Sequence, residues 1–255
     1  MRNRESPTHP PKGNPHILKT FHPHFEILPP AQQAAWKLLA PAKELGFVLY
    51  GGTAIALRLG HRTSVDFDFF SSKPLEKAHL LQKMPFLGEK PPEQDKPNTF
   101  TIITRKVKFS FFGNLRFGCY SLPELTSDET LQVAALDDLL ALKIKVIHQR
   151  SERKDFQDIA ALLRHGVPLE RGLAIAQRMF APELSPMIAL RALTYFEDGD
   201  LSTLSKADKE TLIEATRFTK PLPEVSPVSQ ELSSYKKTSR PEGHESFNDD
   251  SVNLP

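Results

Sequence analysis

The segment Val65-Asp66-Phe67-Asp68-Phe69-Phe70 narrows the possible folds more than any other part of the chain. A strand period of two puts Asp66 and Asp68 on one face and Val65, Phe67 and Phe69 on the other. One helix upstream, Gly51-Gly52-Thr53 ends the short apolar run of residues 47–50. The expected order is therefore a strand, a glycine pair, a helix over residues 53–59 closed by Gly60, and a strand over residues 64–70. A helix over residues 31–45 precedes them, and strands over 100–104 and 106–112 follow. The period then turns helical over 134–148, 154–164, 169–180, 186–196 and 206–218. Strands early and helices late predict an α+β fold, with a helical C-terminal unit packed on the sheet-bearing unit and a site between them.

Of the 255 residues, those at 1–30 are crowded with Pro, His, Lys and Asn and show no periodicity. They are expected to be a flexible arm, because such a segment buries too little apolar surface to offset its ordering entropy. Residues 220–255, rich in Pro, Ser, Glu and Lys, are expected to be a disordered tail on the same ground. The informative stretch divides into a core at 31–125 and a helical domain at 126–219. Lys and Arg number 33 against 31 Asp and Glu, so no overall basic field announces a nucleic-acid ligand, although a local basic groove remains open. The single cysteine, Cys119, excludes an internal disulfide framework and fits a reducing compartment. No run approaches the roughly 20 apolar residues needed to span a bilayer, so the chain reads as a cytoplasmic protein with no membrane partner.

Two carboxylates side by side repel, and in a partly buried position a divalent cation is the usual relief. Hard oxygen donors at Asp66 and Asp68 make Mg²⁺ the natural candidate, suited to phosphoryl displacement. A solvent-facing acidic strand edge would carry the same residues. What changes the balance is the glycine pair. Gly51 and Gly52 let backbone approach a ligand, and the free N–H groups at the start of the following helix suit a triphosphate, with Thr53 adding a hydroxyl. A plain two-glycine turn is equally compatible with the pair alone. Ser64 shares the face of the aspartates, two and four residues before them. Arg62 fits either a substrate phosphate or a surface ion pair with one of those carboxylates.

Downstream, Lys143 falls on an apolar helical stripe with Leu136, Leu140 and Ile147. Its ammonium either reaches charge in the cleft, the favoured reading, or snorkels to water. Lys145 falls on the polar side and reads as a solvated charge. Asp155 and Asp158 flank the stripe of Phe156, Ile159, Ala160 and Leu163. The helix dipole also accounts for Asp155 in the first turn, but not for Asp158. His148 and His165 sit near helix ends without partners at metal-ligand spacing and read as exposed or dipole-complementing residues.

The strings Gly51-Gly52-Thr53-Ala54-Ile55-Ala56-Leu57 and His61-Arg62-Thr63-Ser64-Val65-Asp66-Phe67-Asp68-Phe69-Phe70 resemble the opening motif of the AbiEii/AbiGii-type nucleotidyltransferase toxins, of the DNA polymerase β nucleotidyltransferase superfamily. The similarity continues at residues 136–143, 153–159 and 192–198. It implies a nucleotidyltransferase-fold mixed sheet with helices, transfer of nucleotides from an NTP onto an acceptor such as tRNA, and a toxin with a cognate antitoxin in an abortive-infection system. It also implies that Lys143 and an aspartate within 155–158 complete the active site, without fixing which aspartate. One departure stands out. Polymerase-β-type enzymes draw a third carboxylate from a later strand, and the natural position here holds Ser110.

Two functions follow. The first is an Mg²⁺-dependent nucleotidyltransferase acting from an NTP to RNA, with Asp66 and Asp68 on the metal. Gly51, Gly52, Thr53, Arg62 and Ser64 would cradle the triphosphate, Lys143 would bind phosphate charge, and Asp155 or Asp158 would orient Lys143 or act as base. The second is a catalytically weak module that holds a nucleotide or a partner in the same cleft, an alternative that Ser110 supports.

Overall fold

The computed structural model describes residues 18–235, so residues 1–17 of the expected arm and 236–255 of the expected tail lie outside the described residues. Within them the arm is not formless. β1 (Thr20–Phe21) pairs in parallel with a strand more than a hundred residues later, and Ile27 and Leu28 are buried. The helix expected over 31–45 is instead α1 (Pro30–Ala35), a 3-10 turn (Trp36–Leu39) and α2 (Pro41–Glu44). Pro41 is the cause: it has no N–H to continue an i to i−4 ladder and its ring crowds the preceding turn.

β2 (Val48–Tyr50) runs into α3 (Gly51–Leu59), which ends on Gly60 in the left-handed conformation at φ 64°. β3 (Asp66–Phe70) follows, two residues shorter at its start than expected, and Val65 is an exposed residue ahead of it rather than a partner of Phe67 and Phe69. After α4 (Lys77–Lys83) come β4 (Gln94–Lys96), β5 (Thr99–Thr104) and β6 (Val107–Phe112). Arg105 and Lys106, at φ 52° and 63°, join β5 to β6 in a two-residue hairpin whose twist requires positive φ at both positions. β7 (Glu124–Thr126) and β8 (Gln132–Val133) complete the sheet, which therefore extends past the boundary expected at residue 125.

The eight strands run in the order β1-β7-β8-β2-β3-β6-β5-β4, with parallel and antiparallel neighbours mixed. β3 and β6 are central and parallel, pairing Phe67 with Phe109, Asp68 with Ser110 and Phe69 with Phe111. Their inner rings stack at 5.7 Å (Phe67 with Phe109) and 5.0 Å (Phe69 with Phe111), all fully buried. Burial of each such side chain stabilises the fold by about 1.5–3 kcal/mol. The same alternation turns Asp66 and Asp68 to the opposite face.

The helices α5 (Leu136–Ile147), α6 (Arg153–Arg164), α7 (Leu169–Phe180), α8 (Pro186–Ala192) and α9 (Lys206–Arg217) follow the periodicity, with α8 ending four residues early. Gly172 allows α7 to approach α5, since a Cβ there would meet Leu140 Cδ2 at 2.5 Å. One continuous apolar core joins sheet and helices. Residues 220–235 correct the expected disorder: Ser229 bridges to Cys119, Leu232 is fully buried, and Gln132 Oε1 accepts from the Ser234 and Tyr235 N–H groups at 3.1 Å. The segment is poor in apolar residues, but it borrows the sheet's partners instead of building its own. Among the described residues no helix is long and apolar enough to cross a membrane.

Candidate active site

The cleft forms where α3 leaves β2. Gly51 sits at φ 76°, a conformation that favours glycine, and a Cβ there would meet Asp68 Oδ2 at 2.5 Å. A Cβ on Gly52 would meet Arg62 Nη2 at 2.4 Å. Both glycines thus make room for a charged side chain, a stronger requirement than a turn. The N-cap residue of α3, Tyr50, gives its first turn no side-chain cap, and Gly51 and Gly52 face a cleft of about 380 Å³.

Asp66 and Asp68 line the same cleft from β3, as do Thr53, Arg62 and Ser64 from the segments before it. Burial raises the Asp68 carboxyl above its usual range, and the adjacent Asp66 charge raises it further. The smaller, Asp66 part of that rise is the repulsion expected of a carboxylate pair. Opposing it are the charge of Lys143 and a hydrogen bond from Ser110. Among the described residues no group of three or more His, Cys, Asp or Glu forms a protein-only metal cage. Two oxygen donors on one face fit a cation of the Mg²⁺ kind, which takes one or two carboxylates and completes its shell with water and phosphate oxygens. The Thr53 hydroxyl lies 2.8 Å from that of Ser64 and contacts the Asp66 carbonyl, so it ties α3 to β3.

From the helical side Lys143 enters the cleft, only 5% exposed. Its Nζ stands 2.6 Å from Asp155 Oδ1 and 2.7 Å from Asp158 Oδ2, so both aspartates hold the lysine, although both are fully buried and neither lines the cleft itself. A buried ammonium with two carboxylates offsets much of its desolvation cost. Arg150 Nε reaches Asp155 Oδ2 at 2.9 Å. Asp158 also accepts from His61 Nε2 at 2.7 Å, from Arg62 Nε at 2.6 Å and from Arg62 Nη2 at 2.8 Å. Burial would raise its carboxyl, but the His61 hydrogen bond and the charges of Lys143 and Arg62 outweigh that and hold it well below the usual range.

Arg62 therefore pairs with Asp158, which neither of the sequence alternatives included, while still lining the cleft. His61 and Arg150 were not singled out from sequence. The signal available was the need for cations created by two acids on one face of α6. Lys145 differs from the solvated charge expected: its side chain is 15% exposed and its Nζ pairs with Glu183 at 3.0 Å. His148 Nε2 lies 3.3 Å from the Ser185 carbonyl. Cys119 is a buried thiol, pushed up to about 11 by desolvation, and packs as a core residue. A larger cavity of about 640 Å³ touches Arg58, Glu124, Asp137 and His165, but none of the candidate site residues. Two of its charged side chains are paired, Arg58 with Glu124 at 2.9 Å and Asp137 with Arg171 at 2.7 Å.

Among solved structures, an H. pylori chain assigned as a nucleotidyltransferase is 17% identical, with a TM-score of 0.47 over 73% of this chain and 90% of that one. The Megavirus polyadenylate synthase is 13% identical, with a TM-score of 0.37 over 52% of this chain and 31% of that one. At those scores neither carries an argument. An uncharacterized protein of Aquifex aeolicus (strain VF5) is 32% identical over 156 residues, 60% of this chain and 75% of the relative. The family described as "Nucleotidyl transferase AbiEii toxin, Type IV TA system" matches residues 36–231, which include every residue of the cleft. With its glycine pair, strand carboxylates and buried lysine inside that match, the chain belongs to the AbiEii family of nucleotidyl transferase toxins of type IV toxin–antitoxin systems.

Proposed function

We propose that this cleft transfers a nucleotide from an NTP to RNA, such as tRNA, with Mg²⁺ held by Asp66 and Asp68. The observation that carries the reading is the convergence on one cleft of Gly51 and Gly52, two strand carboxylates and Lys143. Bound there, the cation would neutralise charge on the reacting phosphate. The uncapped N–H groups at Gly51 and Gly52 receive the triphosphate with the help of the α3 dipole. Ser64 offers a hydroxyl beside them. Phe70, Phe112, Leu142 and Val146 give the lining an apolar portion against which a base can pack. Lys143 directs its ammonium at phosphate charge while Asp155 and Asp158 hold it. With both oxygens of Asp158 taken by cationic donors and its carboxyl held low, Asp158 is a poor base and an effective anchor. A cytoplasmic setting, where NTP and tRNA meet, and an antitoxin that blocks transfer complete the reading.

A weak binding module on the same fold has one observation in its favour: Ser110 stands across from Asp68 where a third carboxylate would arise. Purified protein, labelled NTPs, Mg²⁺ and total RNA separate the two. Label on RNA that is lost in Asp66→Ala and Asp68→Ala supports transfer at this site. Label that survives both substitutions would sink the metal site, and no label on any acceptor would favour the binding module.

A further inference from the structure

The loop between α3 and β3 reaches across to α6 through two consecutive side chains, His61 and Arg62, and both end on Asp158. Four contacts fill that carboxylate. Oδ1 accepts from His61 Nε2 at 2.7 Å and Arg62 Nε at 2.6 Å, while Oδ2 accepts from Arg62 Nη2 at 2.8 Å and Lys143 Nζ at 2.7 Å. We propose that His61 is a positioning residue for the transfer reaction: it fixes Asp158, and through Asp158 it sets where the Lys143 ammonium stands. The proposal rests on the reading of the cleft given above.

The imidazole is not explained by packing. His61 is 12% exposed in its side chain, and its Nδ1 is buried with no hydrogen-bond partner. An unsatisfied buried polar atom opposes folding, and an apolar ring would fill the space without it. What an apolar ring lacks is Nε2. With Nε2–H donating to Asp158, Nδ1 is left as a bare lone pair, the less costly of its two forms in a buried place. Asp158 is itself 0% exposed, so a donor lost from Oδ1 is not replaced by water. Arg62 Nε alone would then hold that oxygen, the carboxylate would gain freedom to turn, and Lys143 would turn with it. On the other side of the lysine, Asp155 is anchored by an Arg150 side chain that is 47% exposed.

His61→Phe keeps the ring and removes the donor, whereas His61→Gln returns an N–H near the place of Nε2. In labelled transfer from NTP to RNA, His61→Phe is expected to lower kcat about 10- to 100-fold through misplacement of Lys143, with KM for NTP changed less than about threefold. His61→Gln is expected to recover most of the loss. In an Asp158→Asn background His61→Phe is expected to add little, because residues acting as a unit are not additive. The side-chain ¹⁵N spectrum of Lys143 reads the same linkage without turnover: its ammonium resonance is expected to shift or broaden in His61→Phe and to return in His61→Gln. An unmoved resonance in His61→Phe, or losses in both variants that follow a common fall in Tm, would overturn the proposal. A wild-type chain that transfers nothing while the resonance responds would overturn the reading of the cleft and uphold the His61–Asp158–Lys143 linkage.

Discussion

Ser110 lies across from Asp68 in the parallel register of β3 and β6, so the neighbouring strand brings a hydroxyl to the carboxylate pair where it could have brought a charge. Ser110 is 3% exposed and its hydrogen bond favours the ionised form of Asp68. Ser110→Asp is expected to destabilise the metal-free protein by about 1–3 kcal/mol through burial of a third like charge. Added Mg²⁺ is expected to raise the variant's Tm more than it raises the parent's, because metal affinity grows with ligand charge. Equal Mg²⁺ shifts in thermal unfolding would place the metal elsewhere.

Asp68→Asn is expected to separate stability from activity. Burial and the Asp66 charge raise the Asp68 carboxyl, so its ionised form opposes folding at neutral pH. The amide is therefore expected to raise Tm while abolishing transfer. A variant that unfolds earlier than the parent would show that the carboxylate's contacts outweigh its repulsion.

Gly51→Ala and Gly52→Ala are expected to fail in different ways. The first forces a left-handed backbone and meets Asp68 Oδ2, while the second displaces Arg62 Nη2 from Asp158. Each is expected to cost about 1–3 kcal/mol by overpacking, and denaturant titration gives the value. Only the second is expected to be relieved by Arg62→Lys, whose head is smaller. Relief of both, or of neither, would argue against the contacts described.

Asp138 gives a stability signal of opposite sign to Asp158. Its burial near the start of α5 pushes its carboxyl up to about 7, although the Tyr120 and Ser121 N–H groups favour the charge. From an ordinary value of 3.8, the folded protein binds more protons than the unfolded chain between about pH 4 and 7. This group's contribution is therefore full below 3.8 and is lost as pH rises through 7. Relative to the parent, Asp138→Asn is expected to gain stability from pH 5 to pH 7, by up to about 1.4 kcal/mol per pH unit. A difference that stays flat across thermal melts at pH 5, 6, 7 and 8 would contradict the buried charge.

Leu232→Ala tests the C-terminal segment. The side chain is fully buried in the apolar core, so truncation is expected to cost about 2–5 kcal/mol. A cost below about 0.5 kcal/mol, as at an exposed site, would mean that the segment does not hold its place.

What could be read in the sequence was what repeats locally. The alternation of Asp66 to Phe70 and the stripes of α6 and α7 give the elements almost to the residue, because period reports the buried face directly. β1, β7 and β8, of two or three residues each, carry no period; they exist only because partners distant in the chain offer them a ladder. The site divides in the same way. The glycines, strand carboxylates and Lys143 announce themselves by breaking a local rule. The links from His61, Arg62 and Arg150 to α6 are products of folding, and their residue types are ordinary on any surface.

The aromatic ladder of β3 and β6 has a further consequence. Because the stacked rings and the carboxylates alternate along β3, sliding that strand by a single position would drive Asp66 and Asp68 into the space of Phe67 and Phe69. The residues proposed for metal binding thereby act as a lock against mispairing. A chain that folded out of step would bury two charges in hydrocarbon, so correct assembly of the sheet and correct assembly of the cleft are one event.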